Sequence, residues 1–114
     1  MPRIFISEHF KRQIKWYLKK LPKLHSDVID NLTIFHPGSA VALGGGLYKI
    51  RMRSSDLPKG KSHAFRMIIL FVVIDDLVTP ITIYSKGDKA NMQRKEIRYH
   101  VDAIRAEIDL PSIH

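Results

Sequence analysis

The chain has 114 residues, of which 45% are hydrophobic and 26% charged, which is typical of one globular domain and excludes a disordered or collagen-like chain. It has no cysteine, which excludes a disulfide framework, a thiolate metal site and a cysteine nucleophile. Because 19 Lys and Arg residues face 11 Asp and Glu residues, the net charge is +8 and a polyanion is the first partner to consider. We expect residues 1–114 to form a single domain.

The start of the chain and its longest apolar run both indicate a cytoplasmic protein that does not enter a membrane. Residues 1–10 include Glu8 and no apolar run of signal-peptide length. Residues 67–74 are the longest apolar run and are far shorter than the ~20 residues that span a bilayer as a helix.

The first half of the chain predicts a short strand followed by two helices. Residues 3–6 are rich in Ile and Phe, as strands are. From Ser7, a candidate N-cap, apolar residues recur with the 3.6-residue period of an amphipathic helix that ends at Pro22. A second helix is predicted from about Ser26, also a candidate N-cap, to just before Pro37, and packs on the first as a helical hairpin.

Glycines then separate the helices from a β region. The run Gly44 to Gly46 precedes a strand, whereas a phosphate-binding loop needs a helix directly after it, so we interpret it as a flexible linker. Residues 47–54 alternate between apolar and basic side chains, which places Lys49, Arg51 and Arg53 on one face of a strand.

Two further strands and a helix complete the predicted fold. Residues 64–74 are apolar on both faces apart from Arg66, as in a central strand. Residues 77–85 predict the next strand, with Pro80 at an edge or a bulge because proline cannot donate to a ladder. A helix over about residues 92–108 follows. The order is β-α-α-β-β-β-α, an α+β fold with a mainly antiparallel sheet, one face covered by helices and the other open.

The positive charge is concentrated in the middle of the chain. Residues 46–66 contain six basic side chains opposed only by Asp56; they are Lys49, Arg51, Arg53, Lys59, Lys61 and Arg66. Cations on alternate strand positions are about 7 Å apart, a spacing comparable to that of successive phosphates in an extended nucleic acid. This segment therefore predicts a surface for single-stranded RNA. The basic residues of the first helix are instead interpreted as a solvated face.

Among the motifs of known chemistry, one histidine stands out. None of the six histidines has the helical spacing of a zinc site, no GxSxG motif occurs, and no close pair of carboxylates lies beside a nucleophile. His63 lies between Lys61 and Arg66, where a pKa near neutrality would suit proton transfer, although a lone loop histidine is more often a surface residue.

The β region resembles a known family. LYKIRMRSSDLPKGKSHAFRMIILFVVIDD followed by VTPITIYSKGDKANMQRKEI resembles the RelE/ParE superfamily of bacterial type II toxins, closest to its HigB-like branch. A glycine-preceded K-I-R strand, a GKS…F-R hairpin and a T-I-Y-S-K strand end follow one another in the family's order. The resemblance covers residues 44 to about 108, and the helical hairpin fits the same RelE-like architecture.

The resemblance implies a small cytoplasmic ribonuclease that enters the ribosomal A site, cuts mRNA there, and is neutralised by a cognate antitoxin. The antitoxin is expected to be a small helix-turn-helix protein, with operator DNA bound only through the complex. The resemblance places the working residues on Lys49, Arg51, Arg66 and Lys86, with Lys59 and Lys61 at the GK positions of the loop. Together with the residues singled out above, the predicted catalytic residues are Lys61, His63, Arg66 and Lys86, and the predicted RNA-binding residues are Lys49, Arg51, Arg53, Lys59 and Tyr84.

This sequence departs from the family pattern at two places. Ser62, His63 and Ala64 stand where the family has paired glycines, and the family's C-terminal tyrosine falls near Met92, which leaves Tyr84 as the expected stacking residue. Cleavage by a ribose 2′-OH needs no metal or other cofactor. The general base is either His63 or a lysine whose pKa is lowered by neighbouring cations.

Two alternatives to the ribonuclease interpretation remain. One is a ParE-like inhibitor that binds a protein such as DNA gyrase without catalysis, which the retained basic residues disfavour. The other is an inactive relative that binds only RNA or the antitoxin, which the two departures favour.

Overall fold

A computed structural model describes residues 2–56, 64–87 and 91–109 of the chain. In these ranges three α-helices accompany one five-stranded sheet. The elements are β1 (Arg3–Ile4), α1 (Glu8–Leu18), α2 (Leu24–Thr33), β2 (Val41–Gly44), β3 (Leu47–Arg53), β4 (Ala64–Val72), β5 (Leu77–Ser85) and α3 (Arg94–Asp109), with a 3₁₀ turn at Pro37–Ser39. The predicted α+β class is confirmed.

The sheet has the strand order β1-β5-β4-β3-β2, and every neighbouring pair is antiparallel except β1 with β5. The ladder between β4 and β5 shifts register between Ile68 and Ile69, which pair with Thr82 and Pro80. Ile81 is thus the extra residue of a bulge beside Pro80. The predicted bulge is confirmed, because the proline cannot donate to the ladder.

The first face of the sheet carries the larger core, under α1 and α2. The side chains of Met52, Met67 and Ile83 come from adjacent strands and pack against the two helices. The helices contribute their apolar stripes, including Phe10, Ile14, Leu24, Val28 and Leu32. The prediction that Tyr48, Ile50 and Met52 face one way is confirmed.

The second face is not fully open, and the prediction that helices cover only one face is wrong. Ile104 of α3 is buried against Ile68 and Ile81 of the sheet. Ile68 alternates with Met67 and Ile69 along β4, so it points to the opposite face from the larger core. The apolar stripe of α3 predicts that the helix is packed but cannot say on which face. α3 therefore covers the part of this face nearest Leu47 and leaves the part that carries Arg51 outside its apolar contacts.

The glycine run forms a tight hairpin turn and not a flexible linker. Val41 to Gly44 is an edge strand that pairs with β3, so the fold has one strand more than predicted. Gly44, Gly45 and Gly46 all have positive φ angles, from 63° to 94°, a region that glycine enters without strain. A Cβ on Gly46 would lie 3.1 Å from the carbonyl oxygen of Phe71. The turn therefore requires glycine for its conformation and, at Gly46, for space.

The second helix starts earlier than predicted. α2 begins at Leu24, and its N-cap Lys23 makes no side-chain capping bond, so Ser26 is not the N-cap. Leu24 is fully buried, and its contribution to the core favours the extra turn of helix. The Lys23 N–H donates to the Asp56 carboxylate at 2.8 Å, which ties the helix start to the end of β3. The predicted N-cap of α1, Ser7, is confirmed, because its Oγ accepts from the Phe10 N–H at 2.9 Å.

α3 is held in place through α1. The Glu107 carboxylate accepts from the backbone N–H groups of Glu8 and His9, at 2.8 and 2.9 Å, and so caps the start of α1. Nearby, His9 Nε2 lies 2.7 Å from His100 Nδ1. These contacts position α3 on the second face, beside the basic row of β3, which consists of Lys49, Arg51 and Arg53. In the described part of the chain, no helix is long and apolar enough to cross a membrane.

Candidate functional site

The basic strand β3 presents its cations on the face that α3 partly covers. Lys49, Arg51 and Arg53 alternate with core residues, and Lys49 pairs across the ladder with Ile68. Ile68 belongs to the α3 side of the sheet. The predicted common face of the three cations is therefore confirmed by the register.

The three long antiparallel strands bring two arginines and a tyrosine into one lateral row. Arg51 of β3 is the cross-strand partner of Arg66 of β4, and Arg66 is in turn the partner of Tyr84 of β5. Directly opposed residues in antiparallel strands have Cβ atoms about 4.5 to 5.5 Å apart. Two like charges at that distance destabilise the sheet unless an anion lies between or beside them.

Arg66 has a further unusual feature. Its Nη1 atom is buried and has no hydrogen-bond partner in the part of the chain that the structure describes. An unpaired buried donor costs about 1 to 3 kcal/mol, and more when it is charged. Such a group is a candidate for an anion contact, because a phosphate or carboxylate oxygen would satisfy it.

Tyr84 does not have the accessibility that its predicted role requires. Its side chain is 3% exposed, so in this conformation the ring is not open for stacking on a base. The sequence places Tyr84 in the predicted strand over residues 77–85 but does not show that neighbouring elements bury every residue from Val78 to Tyr84. Tyr84 is the cross-strand partner of Arg66, and we assign the residue to the wall of the site.

The remaining predicted residues divide into three groups. Arg53 is exposed at the end of β3, and Lys86 is exposed one residue beyond β5. Lys49 is half-buried at the opposite end of the basic row of β3 from Arg53. Lys59, Lys61 and His63 lie outside the described residues, so their roles stay predictions.

The structure also adds basic residues that the sequence analysis did not assign to the site. Arg94, Arg98 and Arg105 of α3 line a groove that Lys49 also lines. The spacing of the three arginines along α3 places them on one side of the helix. That side faces β3 because α3 packs on the second face of the sheet. The signal available in the sequence was this helical spacing of arginines beside an apolar stripe.

The assembled site is a cationic surface with the buried Nη1 atom of Arg66 at its centre and flanking cations at Arg51 and Lys49. Arginine can hold two oxygens of one phosphate in its planar fork, whereas lysine acts as a point charge. The surface is therefore chemically suited to hold a phosphodiester chain and to offset charge that develops on one phosphate.

Comparison with known proteins finds solved structures of low similarity, and two of them contain the toxin RelE. One is a mutant of the E. coli toxin RelE in the free state, with 16% identity and a TM-score of 0.49, covering 90% of this chain and 97% of the RelE chain. The other is the intact E. coli RelBE toxin-antitoxin complex, with 18% identity and a TM-score of 0.46, covering 73% of this chain and 94% of the matched chain. No protein-family model matches, and no curated protein is significantly similar in sequence.

Both structures contain RelE, and neither concerns the HigB-like branch. A likeness of this size leaves the activity of the chain to be argued from its own residues.

Proposed function

We propose that the chain is the toxin of a bacterial type II toxin-antitoxin system and that it is an endoribonuclease which cleaves mRNA in the ribosomal A site. The proposal combines the RelE-like order of motifs in residues 44–108 with the cationic surface of the second sheet face. A small helix-turn-helix antitoxin would neutralise it, and the ribosome would present its substrate.

The Nη1 atom of Arg66, which is buried without a hydrogen-bond partner in the described residues, carries this proposal. In a central strand surrounded by core residues, valine or isoleucine at this position would avoid the free-energy cost of burying a charged side chain. The charge is instead retained opposite a second arginine, with one nitrogen buried and without a partner in the described ranges. That arrangement costs stability and is explained if a phosphate occupies the position during function.

The proposed reaction is attack of a ribose 2′-OH on the adjacent phosphorus, with departure of the 5′ oxygen. Arg66 would hold the non-bridging oxygens as their negative charge grows, and Arg51 and Lys49 would align the flanking phosphates. A base, either His63 or Lys61, would take the 2′-OH proton, and Lys86 would assist the leaving oxygen.

The test is controlled expression of the chain in bacteria without an antitoxin. We expect growth to stop with loss of protein synthesis, and sequencing of RNA ends to find cuts confined to translated mRNA. Arg66→Ala is expected to abolish these effects, because loss of one preorganised donor costs about 10² to 10³ in rate. Lys15→Ala is the control, since Lys15 is an exposed residue of α1, the helix that packs on the larger core.

Two outcomes would contradict the proposal. Continued protein synthesis with failure of DNA supercoiling would favour a ParE-like inhibitor of gyrase. Binding of RNA or antitoxin without any mRNA cuts would indicate an inactive relative.

A further inference from the structure

A groove of about 690 Å³ separates α3 from the hairpin of β2 and β3. It lies on the same sheet face as the basic row, since Lys49 contributes to both. Its apolar lining comes from both sides, with Leu43 and Leu47 on the hairpin and Ile97 and Val101 on the helix. The groove is thus a second feature of this face, continuous with the row but beyond the Arg66 position.

The charged lining of the groove is strongly positive. Arg94, Arg98, Arg105 and Lys49 face a single carboxylate, that of Asp102. Arg94 and Arg98 are separated by one helical turn, about 6 Å, and Arg105 lies about 10 Å further along the axis. Among the described residues, the ion pair that the structure shows is Lys11 with Glu8 on α1, away from the groove.

The combination of cationic rim and apolar walls matches single-stranded nucleic acid. Phosphates would pair with the arginines, and unstacked bases would lie against the aliphatic side chains, as on other single-strand binding surfaces. The lining has a net excess of three cations, which a polyanion would neutralise and a neutral ligand would not.

We infer that this groove is a binding path for single-stranded RNA, in which Arg94, Arg98 and Arg105 of α3 hold the strand that continues from the Lys49, Arg51 and Arg53 row. This inference rests on the proposed function for the identity of the polyanion and adds a binding segment distant from the reacting phosphate. The α3 arginines are positioning residues: they fix the register of the strand and take no part in the bond-breaking step.

The experiment measures binding and not cleavage. The probe is a fluorescein-labelled, 2′-O-methylated oligoribonucleotide of about 12 nucleotides, which covers a typical single-strand site and lacks the 2′-OH nucleophile. Fluorescence anisotropy gives the dissociation constant over a range of salt concentrations for the full chain. Variants are Arg98→Glu, the pair Arg98→Glu with Arg105→Glu, and the control Lys15→Glu, which makes the same charge change on the exposed side of α1.

We expect Arg98→Glu to weaken binding about tenfold or more and to lower the salt slope by about 1, with a larger effect for the pair. Lys15→Glu is expected to stay within about threefold of the unsubstituted protein, because its charge acts only at long range. Circular dichroism checks that the variants fold, which is expected since both arginines are exposed.

Equal effects of Arg98→Glu and Lys15→Glu would overturn the inference, as would absence of RNA binding by the unsubstituted protein. Binding of an acidic amphipathic peptide but not of RNA would also overturn it and assign the groove to a protein segment. If the RNA binds in an Arg98-dependent manner but expression produces no mRNA cuts, the proposed function fails and the inference stands. If mRNA is cut but Arg98→Glu leaves RNA affinity unchanged, the inference fails and the proposed function stands.

Discussion

Arg66 is a charged side chain on a central strand, and its surroundings account for its presence there. Its presence in an otherwise apolar strand is visible in the sequence, and its pairing with Arg51 and Tyr84 follows once the hairpins are in register. The burial of Nη1 could not be predicted, because it depends on how β4 packs between its neighbours. For the same reason the burial of Tyr84 escaped prediction, since aromatic residues of strands occur both in cores and at binding surfaces.

Replacing Arg66 with leucine should stabilise the protein while removing its activity. The substitution eliminates an unpaired buried donor, which costs about 1 to 3 kcal/mol, so we expect the free energy of unfolding to rise by about 1 kcal/mol. Urea denaturation measures this change, and Arg53→Leu, at an exposed position on the same face, should leave stability within about 0.5 kcal/mol. A loss of stability in Arg66→Leu alone would mean that the guanidinium has stabilising partners.

The glycine hairpin gives a second prediction at the residue scale. Gly46→Ala should destabilise the protein by about 2 kcal/mol or more, while Gly45→Ala should cost about 1 kcal/mol. Both residues have positive φ, but only at Gly46 would a new Cβ meet a backbone atom, the Phe71 oxygen at 3.1 Å. Equal losses in urea denaturation would show that the contact with β4 relaxes without cost.

At the scale of elements, the sequence predicted the helices and strands that have clear local signals in the residue pattern. It missed the features that depend on tertiary contacts. β5 spans the predicted residues 77–85, because the turn at Asp75 and Asp76 marks where the strand begins. β2 was missed because its four residues are all exposed and adjoin a glycine run, which by composition resembles a loop. The face that α3 covers was also beyond prediction, since an apolar stripe indicates burial without identifying the partner.

The contact between α1 and α3 depends on the protonation of a histidine pair. A hydrogen bond between His9 Nε2 and His100 Nδ1 needs one donor and one acceptor, so it is lost when both rings are protonated. Burial lowers the pKa of His9 below 6.5, the Arg12 charge lowers it further, and the Glu107 carboxylate opposes this. The Tyr99 ring also faces His9, with its centroid 5.8 Å away. The folded state therefore favours neutral His9.

We expect stability to depend on pH through His9 with a defined sign. Above about pH 6.5 His9 is neutral in both states, and its contribution is fully present. As the pH falls below 6.5, the unfolded chain binds a proton before the folded one does, so the free energy of unfolding decreases until the folded-state pKa is passed. Urea denaturation between pH 8 and pH 5.5 measures the decrease.

The controls for this pH dependence are two histidine substitutions. His9→Gln should reduce the change in the free energy of unfolding between pH 8 and pH 5.5. His25→Gln, at an exposed position of α2, should leave that change as it is. An unchanged slope in His9→Gln would attribute the pH dependence to other groups.

At the scale of the whole molecule, the charge is distributed unevenly over the two sides of the sheet. The net charge is +8, yet the described residues contain one ion pair, and it lies on α1. The basic row of β3 and the arginines of α3 lie on the same side of the sheet. Their positive potentials therefore add on that side. Such a surface attracts acidic partners over distances of about a Debye length, roughly 8 Å at physiological ionic strength.

The antitoxin of the proposed system should therefore associate by electrostatic steering. We expect an acidic or amphipathic segment of it to lie across this basic face or the helices beside it, blocking the path of the phosphates. Stopped-flow measurement should give an association rate that falls as salt is raised. Charge reversal of Lys49 and Arg51 should lower that rate about tenfold, because both cations lie on the attracting face.

Charge reversal of Lys15 and Lys19, at exposed positions on and just after α1, is the matched control and should change the rate much less. An association rate that is insensitive both to salt and to the Lys49 and Arg51 changes would show that inhibition acts elsewhere. The antitoxin would then have to work by displacing α3 around Ile97 and Val101, where apolar contacts with the sheet and not charge hold the helix. That mechanism predicts slow association limited by detachment of the helix, so the order of magnitude of the rate separates the two.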